Sequence, residues 1–418
     1  MRFLRKAVLL LMAALLWFVQ TGCEDYYRPV ANPIISPGGQ PQTAHYAWVV
    51  NYNPAGPGTT TEIDVSGDSN LAVTSMGNGS IAEAFPPSTL ALFVANRDND
   101  TVSEYLPTLA GAVTTISLLT GSHPVYLASG QTANMYVVNS GSNSTCPNTG
   151  SVSTIPVATL SVSTTTCVGR NPTMAVQSPS NVNLYVLNQA DATISVINGT
   201  TGGTITFPSG QTPVYMAVSS DGNWIFVVTQ DGSNSGTLYL ISAGATALAT
   251  CNSSPCAAPL GVMPNYAVAD PTLNRLYVTN GGDDTVSVFD TSNVTTSSNP
   301  PLPLLATVTV GMNPIGVTPL ISGTLFYVAN AGSNTVSVVS ANSFSTQTTV
   351  SLPAGASPVF IASDPTSSKV YVADQGISAT TIIQTSNNTI SGSVSAPQQQ
   401  SSCTSSCPLQ TPKMIVSR

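Results

Sequence analysis

Charge is what this chain has least of. Of 418 residues only 10 are Lys or Arg and 18 are Asp or Glu, 7% in all, where about 25% is usual for a soluble domain. Lysine occurs three times, as Lys6, Lys369 and Lys413, and there are two histidines. Helical proteins dress their exposed faces with Lys and Glu, so scarcity of both argues against a helix-rich fold. A net charge of −8 excludes the basic footprint that nucleic acid requires. Disorder is excluded as well, because it needs low hydrophobicity with high charge, and 42% of this chain is hydrophobic. Aromatic residues are only 6% and form no girdle, which argues against a membrane β-barrel. Beyond the first residues no segment is apolar over the ~20 residues a spanning helix needs.

What remains for the surface is Ser, Thr, Asn and Gly, the residues of strands and tight turns. The N-terminus differs from the rest. Arg2, Arg5 and Lys6 precede an apolar run over 7–19, followed by Thr21-Gly22-Cys23. A basic stretch, a short apolar run and small residues make an export signal. The Gly-Cys ending resembles a bacterial lipoprotein signal, which implies lipidation of Cys23 after removal of 1–22. Gln20 departs from the usual aliphatic residue, and plain secretion is the alternative. Residues 23–43 are polar and rich in Pro and Gly, as a tether would be. Six further cysteines in an exported chain imply disulfides. Proximity pairs Cys146 with Cys167, Cys251 with Cys256 and Cys403 with Cys407. The competing zinc reading lacks paired C-x-x-C units and an adjacent histidine.

One short strand then recurs eight times: Trp48-Val49-Val50-Asn51, Phe93-Val94-Ala95-Asn96, Tyr136-Val137-Val138-Asn139, Tyr185-Val186-Leu187-Asn188, Phe226-Val227-Val228-Thr229, Tyr277-Val278-Thr279-Asn280, Tyr327-Val328-Ala329-Asn330 and Tyr371-Val372-Ala373-Asp374. The intervals run from 41 to 51 residues, the period of β-propeller blades. Two registers lock to the motif. Pro172, Pro213, Pro264, Pro314 and Pro358 each lie 16 residues before its fourth position, and Pro124 lies 15 before. Thr101, Thr193, Thr285 and Thr335 each follow the Asn by five residues and open Thr-Val/Ile-Ser.

Tyr277-Val278-Thr279-Asn280 spells the repeat of the YVTN β-propeller family, and residues 277–290 resemble a full copy of it. The resemblance covers about 44–418. It implies an all-β fold: a single propeller of four-stranded blades within the lactonase-like superfamily. In the unit after Pro264, strand a is expected at 266–269, b at 276–280, c at 285–289 and d at 304–310. The N-terminal unit lacks an a-strand, and residues 412–417 offer a spare one. Closure of the ring by that segment gives eight blades; seven, as in related propellers, is the alternative.

In such a ring the b–c and d–a connections share one face. Their expected long loops are 51–61, 140–150, 251–263 and 397–411, which places all three disulfides on that face. The c–d loop 291–302 is the exception on the other side. The residues before each proline, His123, Asn171, Thr212, Met263, Asn313, Ser357 and Thr411, with Arg170, would line a polar mouth or simply cap turns. Asp98, Asp100, Asp191, Asp283 and Asp284 would sit in b–c turns, bonding backbone or, less in keeping with Asn334 and Ala192 at equivalent places, calcium. No nucleophile elbow, phosphate loop or metal-protease motif is present, so no catalytic residue, metal or cofactor is expected. The expected function is a lipid-anchored, monomeric scaffold of the cell envelope binding a protein or glycan partner, mouth away from the membrane. Some similar propellers are phosphogluconolactonase-type lactonases and others resemble quinoprotein dehydrogenase subunits; a lactonase-like hydrolase using the mouth is the alternative.

Overall fold

A computed structural model describes residues 46–86, 89–107, 112–129, 133–180, 182–198, 201–398 and 409–417. Cys23, Cys403, Cys407 and the segments 1–22 and 23–43 lie outside them. Eight antiparallel four-stranded sheets follow one another along the chain, and their innermost strands pack side by side in a closed ring. Strands are lettered a to d from the axis outward. Blade 1 joins the two ends of the array: strand a is Thr411–Ser417 and strands b, c and d are Tyr46–Tyr52, Pro57–Asp64 and Ser69–Asn78. Blades 2 to 8 open on strands a at Ser80–Ala84, Pro124–Ser129, Pro172–Gln177, Thr212–Val218, Pro264–Ala269, Pro314–Pro319 and Pro358–Ser363. In blade 6 strands b, c and d run Arg275–Asn280, Thr285–Asp290 and Leu304–Thr309, within a residue of the sequence expectation. Eight blades stand, so the seven-blade alternative is set aside.

Why the motif strand is apolar on both faces is now plain. Each b strand is sandwiched between neighbouring blades, and Leu92–Asn96 and Leu184–Asn188 are buried along their whole length. The aromatic first positions Tyr185, Tyr277, Tyr327, Tyr371, Phe93 and Phe226 are among the largest fully buried side chains. Each contributes on the order of 2–3 kcal/mol by leaving water. No blade can bury both faces alone, so the core exists only in the ring.

The motif asparagine has a separate role. The Asn280 amide donates to Thr285 Oγ1 at 3.0 Å and Ser287 Oγ at 2.9 Å, stitching strand b to strand c. Asn96, Asn188 and Asn330 do the same with Thr101 and Ser103, Thr193 and Ser195, and Thr335 and Ser337. This is the physical basis of the five-residue register. Asn51 reaches Thr59 and Thr61, and Asn139 reaches Ser151 and Ser153, so longer turns leave the stitch intact. A glycine backs four of these asparagines. A Cβ on Gly77, Gly169 or Gly311 would lie 2.6 Å from an atom of the Asn96, Asn188 or Asn330 side chain, and one on Gly261 2.8 Å from that of Asn280, too close for any residue but glycine.

Blade 8 breaks the pattern. Asp374 replaces the asparagine and accepts from Thr381 Oγ1 at 2.5 Å, Ala379 stands where the threonine belongs, and Asp374 Oδ1 is buried without a partner. Burial pushes its carboxyl from 3.8 up to about 6, against the opposing hydrogen bonds from Thr381. A folded-state value above the unfolded one makes its contribution complete below pH 3.8 and lost as pH rises through about 6. Asp374→Asn combined with Ala379→Thr will therefore raise stability at pH 7 by roughly 1–2 kcal/mol and by less at pH 4. Urea unfolding at the two pH values reads this directly; an equal or negative change at pH 7 would refute it.

Two loop expectations are corrected. Segment 251–263 is not a d–a loop. Strand c of blade 5, Ser235–Ser242, is followed by a small hairpin of Thr250–Cys251 and Ser254–Pro255, and Ala257–Val262 is strand d. The Cys251–Cys256 bridge thus sits in the c–d connection, on the face opposite the mouth. There it meets the 291–302 loop of blade 6: Ala257 N–H donates to Asn299 Oδ1 at 3.1 Å, and Asn299 Nδ2 to the Pro255 carbonyl at 3.4 Å. The two long c–d loops form one structure. Segment 51–61 is also mostly strand, because strand c of blade 1 begins at Pro57. The Cys146–Cys167 bridge does lie at the mouth face, between the b–c loop and the end of strand d of blade 3, with Cα atoms 5.4 Å apart.

Candidate functional site: the central mouth

Five of the strands a enter from the mouth face through the same construction. His123, Asn171, Met263, Asn313 and Ser357, the residues before the prolines, all have left-handed backbone, with φ between 47° and 51°. For residues other than glycine this conformation is strained and needs support. The support comes from the b–c turns. Asp100 accepts from His123 N–H at 2.7 Å, Asp284 from Asn313 N–H at 2.8 Å and Asn334 from Ser357 N–H at 2.7 Å, each tying one blade to the next. Asp191 accepts from Arg170 N–H at 2.7 Å and Asp283 from Val262 N–H at 2.5 Å, anchoring the entry to their own blades. The carbonyls of the strained residues accept from the residue after the motif, as Ser140 N–H to His123 O at 3.0 Å and Gly281 N–H to Met263 O at 2.9 Å.

These bonds give the turn carboxylates a structural role. They hold backbone, though the backbone of the entry loops rather than of their own turns. Arg170 adds a guanidinium contact of 2.5 Å to Asp191. Its N–H and side chain together keep the Asp191 carboxyl below the usual range. Asp98 pairs with Arg97 at 2.9 Å. Among the described residues no group of three His, Cys, Asp or Glu is arranged to hold a metal ion.

The pre-proline residues stand where the strands a begin, as separate stations. His123, Arg170, Asn171, Met263, Asn313 and Ser357 are exposed, and Thr212 and Thr411 are half-buried. His123 Nδ1 lies 3.3 Å from the Arg97 carbonyl and 3.9 Å from Asp100. Arg170, one blade on, is bound to Asp191. Among the described residues, no contact brings His123 and Arg170 onto a common partner.

Sequence reasoning missed the residue on the other side of each proline. In all eight blades the ladder between strands a and b skips one residue of strand a. Such β-bulges re-aim a side chain. Five of the bulged residues are apolar: Ile81, Val125, Val214, Ile315 and Val359. The other three are Thr173, Asn265 and Lys413. All are half-buried although they belong to the innermost strands, so they form a throat under the mouth. One residue deeper, the Tyr215 and Tyr266 rings lie 4.7 Å apart. Burial pushes the phenols of Tyr126 and Tyr215 well up, with the neighbouring tyrosines adding to the shift. Both keep partial exposure, as side chains lining internal space do. The signal was available: the position directly after each registered proline is β-branched and apolar in most repeats.

The family description named "Lactonase, 7-bladed beta-propeller" matches residues 157–404, more than half of the chain. The protein belongs to this lactonase propeller family. This lactonase-family propeller has one blade more than that description specifies. Similar solved structures include AztD from Citrobacter koseri, at 13% identity, with 90% of this chain and 98% of that chain covered and a TM-score of 0.59. A candidate 6-phosphogluconolactonase from Bacteroides fragilis matches at 13% identity over 90% of this chain and 98% of that one, with a TM-score of 0.56. Hydrazine synthase from Kuenenia stuttgartiensis matches at 18% over 70% of this chain and 94% of that one, with a TM-score of 0.52. At these identities the likeness is one of fold. No curated protein sequence matches the lactonase-family chain.

Proposed function

We propose that this lactonase-family propeller is a non-catalytic binding scaffold, exported and anchored through a lipid on Cys23, that presents its mouth face to a protein or glycan partner of the envelope. One observation carries the reading: the acidic groups of the mouth are committed to architecture. Asp100, Asp191, Asp283 and Asp284 hold backbone N–H groups, and Arg170 is paired with Asp191. General acid–base work needs groups converging within hydrogen-bond reach of one reacting atom. The exposed remainder, Asn171, Met263, Asn313 and Ser357, is the equipment of recognition.

The anchor supports the same orientation. Strand b of blade 1 begins at the end paired with Ser417, and its other end, Tyr52, pairs with Thr411 at the mouth. The segment before residue 46 therefore joins the face opposite the mouth, which turns the mouth away from the membrane.

A second reading, hydrolysis of a lactone, is favoured by the family match. The two are separated by one pair of measurements on the full protein. Immobilised protein should capture a partner from envelope extract, with capture reduced at least tenfold by Met263→Ala/Asn313→Ala. Turnover of 6-phosphogluconolactone should stay at the buffer rate. Lactone hydrolysis that disappears in the His123→Ala/Arg170→Ala protein would establish the second reading instead.

A further inference from the structure

The mouth is not uniform around its ring. On the side of blades 6 and 7 its exposed apolar residues are Val262, Met263 and Met312. On the side of blades 8, 1 and 2 it carries the ring of Tyr52 with two cations against it. The Arg97 guanidinium carbon and Lys413 Nζ each lie 5.7 Å from the Tyr52 ring centroid. Arg97 is paired with Asp98. Among the described residues the hydrogen-bond partner of Lys413 is neutral, Gln375 Oε1 at 2.5 Å, and Lys413 is half-buried.

A half-buried ammonium beside a second cation is an unfavourable arrangement in the free protein. Burial first, and then the Arg97 charge, pull the Lys413 amine below its ordinary range. Both penalties are relieved when an anion arrives. Lys413 is also the one cation among the eight bulged residues. The side chains beside it in that ring are Ile81 and Val359, of the adjoining blades, and Val125 and Ile315 lie beyond them. Deeper in, burial holds the phenols of Tyr126 and Tyr215 above their ordinary range. An anion-accepting group at the rim thus stands over a throat that is mostly aliphatic.

We propose that the mouth binds a small amphiphilic carboxylate, its acid group on Lys413 and Arg97 and its apolar body in the throat. The carboxylate replaces Gln375 as the partner of the ammonium, and the body covers the bulged aliphatic residues. This goes beyond the envelope-partner reading and does not depend on it.

Decanoate, decanamide and acetate are the probes, each titrated calorimetrically into the full protein. Decanoate should bind at least tenfold more tightly than either decanamide, which lacks the charge, or acetate, which lacks the body. Lys413→Gln should lower decanoate affinity most of the way to that of decanamide while leaving decanamide unchanged, and Lys413→Arg should restore most of it. Lys413 lies in the strand that completes blade 1, so melting curves of both variants accompany the titrations. The wild-type comparison of acid with amide stands even if a variant fails to fold. Equal binding of decanoate and decanamide, no saturable binding of decanoate, or a folded Lys413→Gln protein that binds decanoate as well as the parent would each overturn the proposal.

Discussion

Removal of residues 412–418 will abolish the cooperative thermal transition. The segment supplies strand a of blade 1, with Met414, Ile415 and Val416 buried and Ala47 to Tyr52 paired along it. Three buried apolar side chains alone represent roughly 5–8 kcal/mol, comparable with the whole stability of a domain. The loss is larger than that sum, because the gap also exposes the inner faces of blades 2 and 8 and the free edge of Tyr46–Tyr52. Calorimetry of the shortened protein should show no sharp transition, and hydrogen exchange should be accelerated first in blades 1, 2 and 8. A transition with the parent's midpoint would mean that the ring does not need its seam.

The second large effect belongs to Glu83, in strand a of blade 2. It is fully buried against blade 1, accepts from Thr60 Oγ1 at 3.2 Å on one oxygen, and has no partner on the other. Burial pushes its carboxyl from 4.5 up to about 8, partly offset by Thr60 and the Val50 and Val416 backbone. The folded chain therefore keeps a proton between pH 4.5 and about 8 that the unfolded chain releases. Stability from this site is complete below pH 4.5 and declines through that window, by on the order of 4 kcal/mol. Glu83→Gln removes the titration. The variant should match the parent at pH 4.5 and exceed it by a few kcal/mol at pH 8, measured by urea unfolding across the range. Parallel pH profiles for the two proteins would show that Glu83 is ionised in the fold.

The blade count, the strand order and the seam were legible because three independent periodicities coincide. A strand buried on both faces is apolar throughout, its asparagine needs hydroxyls at fixed distance in strand c, and the proline marks each entry. Where the chain carries an insertion the reading failed. Ala257–Val262 contains Pro259 and Gly261 and shows no alternation, so strand d of blade 5 looked like loop. The interval from Gly261 to Pro264 repeats that from Gly169 to Pro172 and from Gly311 to Pro314, and could have identified it. The bulged residues were harder to read. Polarity drew attention to the residues before the prolines, where backbone strain is the main business, while the bulge that turns the next residue into the throat leaves no polar mark. Lys413 stood out only by rarity. The commitment of Asp191 and Asp284 to N–H groups of neighbouring loops is a matter of three-dimensional proximity, and spacing along the chain does not carry it.

The seam in blade 1 has a consequence for how such proteins diversify. Ala47 pairs with Ser417 whatever lies between them, and each blade packs chiefly against its two neighbours in the ring. Duplication or loss of one complete repeat in the interior therefore leaves the closing contacts chemically unchanged. It alters only the angle between adjacent blades and the width of the axis. Copy number becomes a quantity that can drift while the latch stays fixed, and a family described by seven repeats can include a ring of eight. The width of the throat, and with it the size of what fits there, changes in the same step.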